Sequence, residues 1–330
     1  MSKEQQYDMI IVGAGPIGIA CGVEAKRRGL RPLLIEKGSL LNAIYEFPTN
    51  LVFFSTSNLL EIGDVPFITS GPKPTRLEIL RYYTRLAEHY ELEFKIYERV
   101  EDIRRDGEDY VVRTSRQRSY RAPFAVLAIG FYDFPNMLDI PGEDLPKVSH
   151  YYREAHPYYR QKVAVIGGQN SAVETALELY RNNADVTLIH REPALGRSVK
   201  YWIMPDIENR IKEGSIKAYF DTVVTRIDAD TITLQTKGGD PFTIENDFVL
   251  AMTGYHPDYD FLERVGVELN PETKKPSYDP VTMQTNVEDI YIAGVACGGL
   301  TDINKIFIEN GREHAKLLVA DILKKLGRNS

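Results

Sequence analysis

Cysteine is nearly absent from this sequence: Cys21 and Cys297 are the only two among 330 residues. Two thiols so far apart exclude a disulfide framework, a Cys-x-x-Cys dithiol and a thiolate metal site. The six histidines, His89, His150, His156, His190, His256 and His314, show neither helical His-x-x-x-His spacing nor a bracketing glutamate. No catalytic metal is therefore expected. An excess of positive charge is also missing: 40 Lys and Arg stand against 47 Asp and Glu, a formal charge of −7. Without a basic block to mark a phosphate-backbone footprint, nucleic acid is set aside as a partner. No apolar run approaches the roughly 20 residues of a bilayer-spanning helix, and the start Met1-Ser2-Lys3-Glu4-Gln5-Gln6-Tyr7-Asp8 lacks the basic-then-apolar pattern of a secretory signal. The expectation is a cytoplasmic protein with no membrane partner, in which any hard chemistry comes from an organic cofactor.

What is present is an ordinary folded composition, 43% hydrophobic and 26% charged. The length is roughly twice a typical domain of about 150 residues, and two distant segments repeat one plan. In residues 7–37 the β-branched run Met9-Ile10-Ile11-Val12 precedes Gly13-Ala14-Gly15-Pro16-Ile17-Gly18, a helical stretch to Arg28, a stop at Gly29, then Leu33-Leu34-Ile35-Glu36. Pro16 suits a first helical turn, where its missing N–H would have had no partner. In residues 162–191 the order is Val163-Ala164-Val165-Ile166, the turn Gly167-Gly168-Gln169-Asn170-Ser171-Ala172, a helix to about Asn182, then Val186-Thr187-Leu188-Ile189. Right-handed crossovers make the strands of each unit parallel neighbours, so the fold class is α/β with two doubly wound, Rossmann-like nucleotide-binding domains. Residues 75–89 read as an amphipathic helix, residues 92–114 and 120–129 as strands of a β-rich connection, and residues 222–249 as alternating strands turning at Lys237-Gly238-Gly239-Asp240. Residues 289–294 read as a strand ending at Gly294, and residues 310–325 as a closing helix.

A strand-turn-helix with Gly-x-Gly-x-x-Gly lets the backbone approach a pyrophosphate at the positive end of the helix. Gly13, Gly15 and Gly18 match in full, and Glu36, 18 residues beyond Gly18, stands where a carboxylate accepts hydrogen bonds from a ribose 2′-OH. A tight turn without a ligand would use the same glycines, but not the acidic residue at that distance. Aligned on Ala172, the second unit puts His190 and Arg191 at the acidic position, cations in place of a carboxylate. A guanidinium binds a 2′-phosphate bidentately whereas a carboxylate repels it, so this unit points to NADPH. Arg197 and Lys200 add charge nearby, unless this is only a solvated loop. Gln169 replaces a fingerprint glycine, and its side chain should push the pyrophosphate outward or donate to it. FAD in the first domain and NADPH in the second imply hydride transfer from nicotinamide to flavin.

The order of a first nucleotide unit, an inserted second unit and a return to the first domain resembles the thioredoxin-reductase-like flavoproteins across nearly the whole chain. Leu127-Ala128-Ile129-Gly130 and Leu250-Ala251-Met252-Thr253-Gly254 resemble the crossover motifs of that group. Within it, the chain is similar to the bacillithiol disulfide reductase family, also called bacilliredoxin reductases. The similarity is carried by Phe53-Phe54-Ser55-Thr56, Ile140-Pro141-Gly142-Glu143, Lys200-Tyr201-Trp202, Pro205-Asp206-Ile207-Glu208-Asn209-Arg210-Ile211 and Asn304-Lys305-Ile306-Phe307-Ile308-Glu309-Asn310-Gly311. The resemblance implies a cytoplasmic, homodimeric FAD enzyme that draws electrons from NADPH to reduce a small-molecule disulfide. It implies an FAD-binding domain of residues 1–131 and 256–330 and an NADPH-binding domain of residues 132–255. Lys37, Val100, Gly130, Gly294, Lys305 and Ile306 complete the cofactor-contacting set, alongside Gly13, Gly15, Pro16, Gly18, Glu36, Gly167, Gly168, Gln169, Asn170, Ser171, His190, Arg191 and Arg197.

Three departures from the family pattern bear on mechanism. Bacterial-type thioredoxin reductases carry Cys-x-x-Cys just before the second unit, and His150-Tyr151-Tyr152-Arg153 stands here. The bacillithiol enzymes are expected to carry cysteine directly after the first turn's proline; this chain has Ile17, which cannot attack a disulfide. Val295 follows Gly294 where many relatives have Asp near the flavin ribityl chain. Cys21 reads as a core residue of a packed helix, and Cys297 as a thiol that Gly298 and Gly299 leave accessible but that no cation activates. No side chain is assigned as nucleophile. A ferredoxin- or flavodoxin-NADP⁺ reductase, which would make the partner an electron-carrier protein, and a flavin- and NADPH-bound sensor without turnover remain open. The Tyr- and His-rich stretch 150–159 offers rings for stacking or for packing at a surface between domains.

Overall fold

A computed structural model of the chain describes residues 7–328. The opening residues Met1 to Gln6, read above for a leader pattern, lie outside the described residues. Contacts divide the chain into two units. The first takes residues up to 46, residues 50–134 and residues from 255 onward; the second takes Pro135–Gly254 together with Phe47–Thr49.

The core of the first unit is a five-stranded parallel sheet, in the order Ile290–Ile292, Phe124–Leu127, Met9–Val12, Pro32–Ile35 and Glu93–Lys95. The three central strands are buried at every position, because helices or further strands cover both faces. The register is direct: Ile11 lies beside Leu34 on one side and Val126 on the other. Between the second and third strands of the chain runs the helix Arg76–His89. Thr75 starts it by accepting from Glu78 N at 3.3 Å, while Glu78 accepts from Thr75 N at 2.8 Å. A separate antiparallel sheet joins Val100–Asp106, Asp109–Thr114 and Ser119–Ala122. The expected β-rich connection is therefore only its middle. Glu93–Lys95 and Phe124–Leu127, its two ends, belong to the parallel sheet, since Phe124-Ala125-Val126-Leu127 is too apolar to cover a surface.

The second unit repeats the plan. Its parallel sheet runs Lys217–Tyr219, Asp185–Ile189, Lys162–Ile166, Phe248–Ala251 and Val148–Ser149. Side chains alternate along Lys162–Ile166 with the period of a strand. Val163 and Val165 pack under the helices Asn170–Arg181 and Met204–Lys212. Ala164 and Ile166 pack against Val224, Ile227, Ile232 and Leu234 of an antiparallel sheet made by Thr222–Ile227, Thr231–Thr236 and Phe242–Glu245. Each buried Val, Ile or Leu among these is worth about 1.5–3 kcal/mol. Residues 150–159 are part of this packing: Tyr152 is buried in the core, and Tyr158 meets Phe248 edge-on at 5.2 Å.

The closing helix expected over residues 310–325 is divided, a short turn Ile308–Gly311 followed by the long helix Glu313–Lys325. Asn310 sets the start by accepting from Phe307 N at 2.8 Å. Among the described residues no helix is long and apolar enough to cross a membrane, and no group of His, Cys, Asp and Glu is placed to hold a metal.

Candidate functional site

Each glycine turn sits where its central strand passes into a helix, and each has the same backbone logic. In the first unit Gly13 N donates to Ile35 O at 2.8 Å, and in the second Gly167 N donates to Ile189 O at 2.9 Å. Gly13 has φ +104°, and a β-carbon there would overlap the carbonyl of Ala128. Gly167 has φ +141°, and its β-carbon would press on the carbonyl of Met252. Both carbonyls belong to the crossover motifs, which therefore dictate glycine at these two positions. At Gly18 a β-carbon would strike Gly13 O, so the helix approaches the strand closely. Gly15 differs: a β-carbon there meets no described atom within 4 Å, which leaves open space at the start of the helix Pro16–Arg27. That helix has no acidic residue in its first turn and carries Lys26 and Arg27 in its last. Its positive end therefore faces no acidic side chain of its own first turn.

Glu36, at the end of the next strand, is only 7% exposed. Its carboxylate accepts from Ala14 N at 2.8 Å and from Gly38 N at 3.0 Å, one bond to each oxygen. Burial pushes its pKa up, against the pull of those two amides and Lys37. Each oxygen keeps a second acceptor site, so the group can still take hydroxyl donors beside the open Gly15. Lys37 is occupied by Asp133 at 2.5 Å. Gly130 has φ +68° and no described atom within 4 Å of a β-carbon. Val100 is buried at the start of its strand, opposite Thr114. Lys305 is exposed and paired with Asp302 at 2.7 Å, and Ile306 lies half-buried with its side chain near Gly298.

The second turn is furnished differently. Its helix Asn170–Arg181 also lacks an acidic residue in the first turn, with Ser171 exposed. The imidazole of His190 occupies the space that a side chain on Gly168 would need. His190 is 8% exposed and burial pushes its pKa down. Burial thus disfavours a charged His190, and the exposed cations beside this turn are Arg191 and Arg197. Arg191 lies 3.5 Å from Glu192. Gln169 does not project freely outward; its amide lies against Gly196 and takes the hydroxyl of Ser198. Neither Gly196 nor Ser198 had been singled out by sequence reasoning, because nothing local marks a loop residue as the partner of a turn so far upstream.

Residues 10–294 match the family model described as "Pyridine nucleotide-disulphide oxidoreductase". The chain belongs to that family. It is 43% identical over 321 residues to bacilliredoxin reductase Bdr of Bacillus subtilis (strain 168), covering 97% of this chain and 98% of that one. The solved bacillithiol disulfide reductase Bdr (YpdA) from Bacillus cereus superposes with a TM-score of 0.95 at 44% identity, over 97% of this chain and all of that one (100%). A ferredoxin--NADP reductase of Ignicoccus hospitalis is 26% identical over 293 residues, 87% of this chain and 89% of that one. The fold is the thioredoxin-reductase-like, two-domain Rossmann type. The chain is thus a pyridine nucleotide-disulfide oxidoreductase, an enzyme class that works with FAD and NADPH.

The thiols of this oxidoreductase are both inaccessible. Cys21 and Cys297 are 0% exposed. Burial pushes the Cys21 thiol up to about 12 and that of Cys297 higher still. The reading of Cys297 as accessible is corrected, since Gly298 and Gly299 are themselves buried. His314 Nδ1 lies 4.0 Å from Cys297 Sγ, yet it accepts from Gly294 N at 3.1 Å and burial keeps the ring neutral. It supplies no positive charge to stabilise a thiolate. Gly294 has φ +79°, and a β-carbon on it would meet the side chain of Ile17 at 3.1–3.3 Å; one on Gly311 would meet Ile17 Cδ1 at 3.2 Å. The side chain after the turn's proline is thus an aliphatic plug between two backbone segments.

Proposed function

We propose that this enzyme carries electrons from NADPH through FAD to a small disulfide of the bacillithiol type, with no thiol of its own in the relay. The observation that carries the reading is the burial of both cysteines together with Ile17 in the glycine turn. Gly13, Gly15 and Gly18 admit the FAD pyrophosphate to the amides at the head of the first helix, and Glu36 orients the adenosine ribose through its remaining acceptor sites. Gly167, Gly168, Asn170 and Ser171 hold the NADPH pyrophosphate in the same way, and Arg191 and Arg197 take its 2′-phosphate. The open space at Gly15 and the two amide bonds that fix Glu36 support this assignment. FAD bound there would supply the redox chemistry that links NADPH to the acceptor. The enzyme works as a homodimer in the cytoplasm.

The test is turnover of the Cys21→Ser/Cys297→Ser double variant with NADPH and bacillithiol disulfide. Activity within twofold of wild type is expected; loss of disulfide reduction with cofactor content intact refutes the thiol-free route.

A second reading, reduction of ferredoxin or flavodoxin, is favoured by the same lack of an exposed thiol, because single-electron delivery needs none. Anaerobic reduction by NADPH followed by separate additions of bacillithiol disulfide, ferredoxin and flavodoxin separates the two. Reoxidation by the disulfide alone supports the first reading, reoxidation by a carrier protein alone the second. No bleaching by NADPH leaves a sensor.

A further inference from the structure

The two glycine turns share one plan, and at the third position they part: Gly15 faces open space, whereas its counterpart Gln169 holds down a loop. The Gln169 amide lies where a side chain on Gly196 would stand, and its Oε1 accepts from the hydroxyl of Ser198. Three further bonds fasten the same loop to the same turn. Gly196 N donates to Gly168 O at 2.8 Å, Asn170 Nδ2 to Ser198 O at 2.9 Å, and Lys200 N to Asn170 Oδ1 at 3.0 Å. Between the anchored residues 196 and 198 stands Arg197, exposed. A guanidinium on an untethered loop must lose backbone and side-chain freedom when it meets an anion, which cancels much of the attraction. Tethered on both sides, Arg197 loses less.

We infer that Gln169 is a positioning residue for recognition of the 2′-phosphate: acting through Gly196 and Ser198, it fixes Arg197 beside the cofactor turn. This rests on the NADPH reading above, and it explains why a side chain is useful where the fingerprint has glycine. Gln169 thus sets cofactor preference without touching the phosphate.

The experiment uses the FAD-loaded enzyme and two probes, 2′,5′-ADP and 5′-AMP, with affinities measured by calorimetry. Gln169→Ala and Ser198→Ala should each lower the preference for 2′,5′-ADP by about tenfold, the scale of one charge-assisted contact. The double variant should lose no more than either single one, and Ser198→Thr, which keeps the hydroxyl, should restore the preference. Tryptic cleavage after Arg197 should be faster in Gln169→Ala. Equal weakening of both probes, or a preference that survives in both alanine variants, overturns the inference while leaving NADPH recognition standing. A wild-type enzyme with no preference for 2′,5′-ADP overturns the NADPH reading and this inference with it. Because Ser198 is exposed, its alanine variant tests the idea even where Gln169→Ala folds poorly.

Discussion

His190 lies across Gly168, its ring filling the volume a side chain there would take, and burial there favours the neutral imidazole. Burial depresses its pKa below the ordinary 6.5, so the unfolded chain binds a proton at higher pH than the folded one. The stability this group contributes is present above pH 6.5 and is lost as pH falls below it through the folded-state value. His190→Gln, which cannot charge, should lose less thermal stability than wild type between pH 7 and pH 5. Parallel Tm–pH curves for the two proteins would contradict a buried neutral His190.

Glu174, in the helix after the second turn, has the opposite sign. Burial, then Glu178 one turn away, raise its pKa to about 7, with Lys200 opposing. Protonation is favoured by folding, so its contribution is complete below the unfolded value of about 4.3 and declines as pH rises towards about 7. Glu174→Gln should therefore stabilise the protein at pH 8, by at most about 4 kcal/mol, and the gain should shrink on acidification. Thermal unfolding at pH 5 and pH 8 checks this; a gain independent of pH would point to packing instead.

Gly13→Ala and Gly15→Ala should part company. At Gly13 a β-carbon meets both φ +104° and the Ala128 carbonyl, so a loss of more than about 2 kcal/mol and poor soluble yield are expected. At Gly15, φ is −75° and no described atom lies within reach, so the fold should persist with unchanged circular dichroism. The methyl group then intrudes where the pyrophosphate would lie, and FAD retained after gel filtration should drop at least about tenfold. Full FAD retention in Gly15→Ala would remove the first turn from the cofactor site.

Native protein should show no thiol reactive towards a disulfide reagent, and unfolded protein two, given that Cys21 and Cys297 are both buried. Ile17→Cys should add one reactive thiol to the native count. Rapid labelling of the wild-type enzyme at either native cysteine would reopen a thiol relay.

Both strand-turn-helix units, the parallel sheets they imply and Glu36 as the end of a strand were legible in the sequence, since each depends on neighbours within one short stretch: glycine where φ is positive, an apolar run long enough for one strand, proline at a helix start. Local pattern misplaces Cys297, which Gly298 and Gly299 suggest is open and which packing buries; the charge of His190 depends on how much water reaches it, which no neighbour in sequence fixes. The chain alone determined where the two glycine turns pass from strand into helix. Only the tertiary structure decided that Ala128 and Met252 close the two turns from behind, that Ile17 plugs the gap between Gly294 and Gly311, and that Gln169 reaches for Ser198. Those contacts join segments remote along the chain, and burial and solvation are set by the assembled neighbourhood, which no local pattern of residues contains.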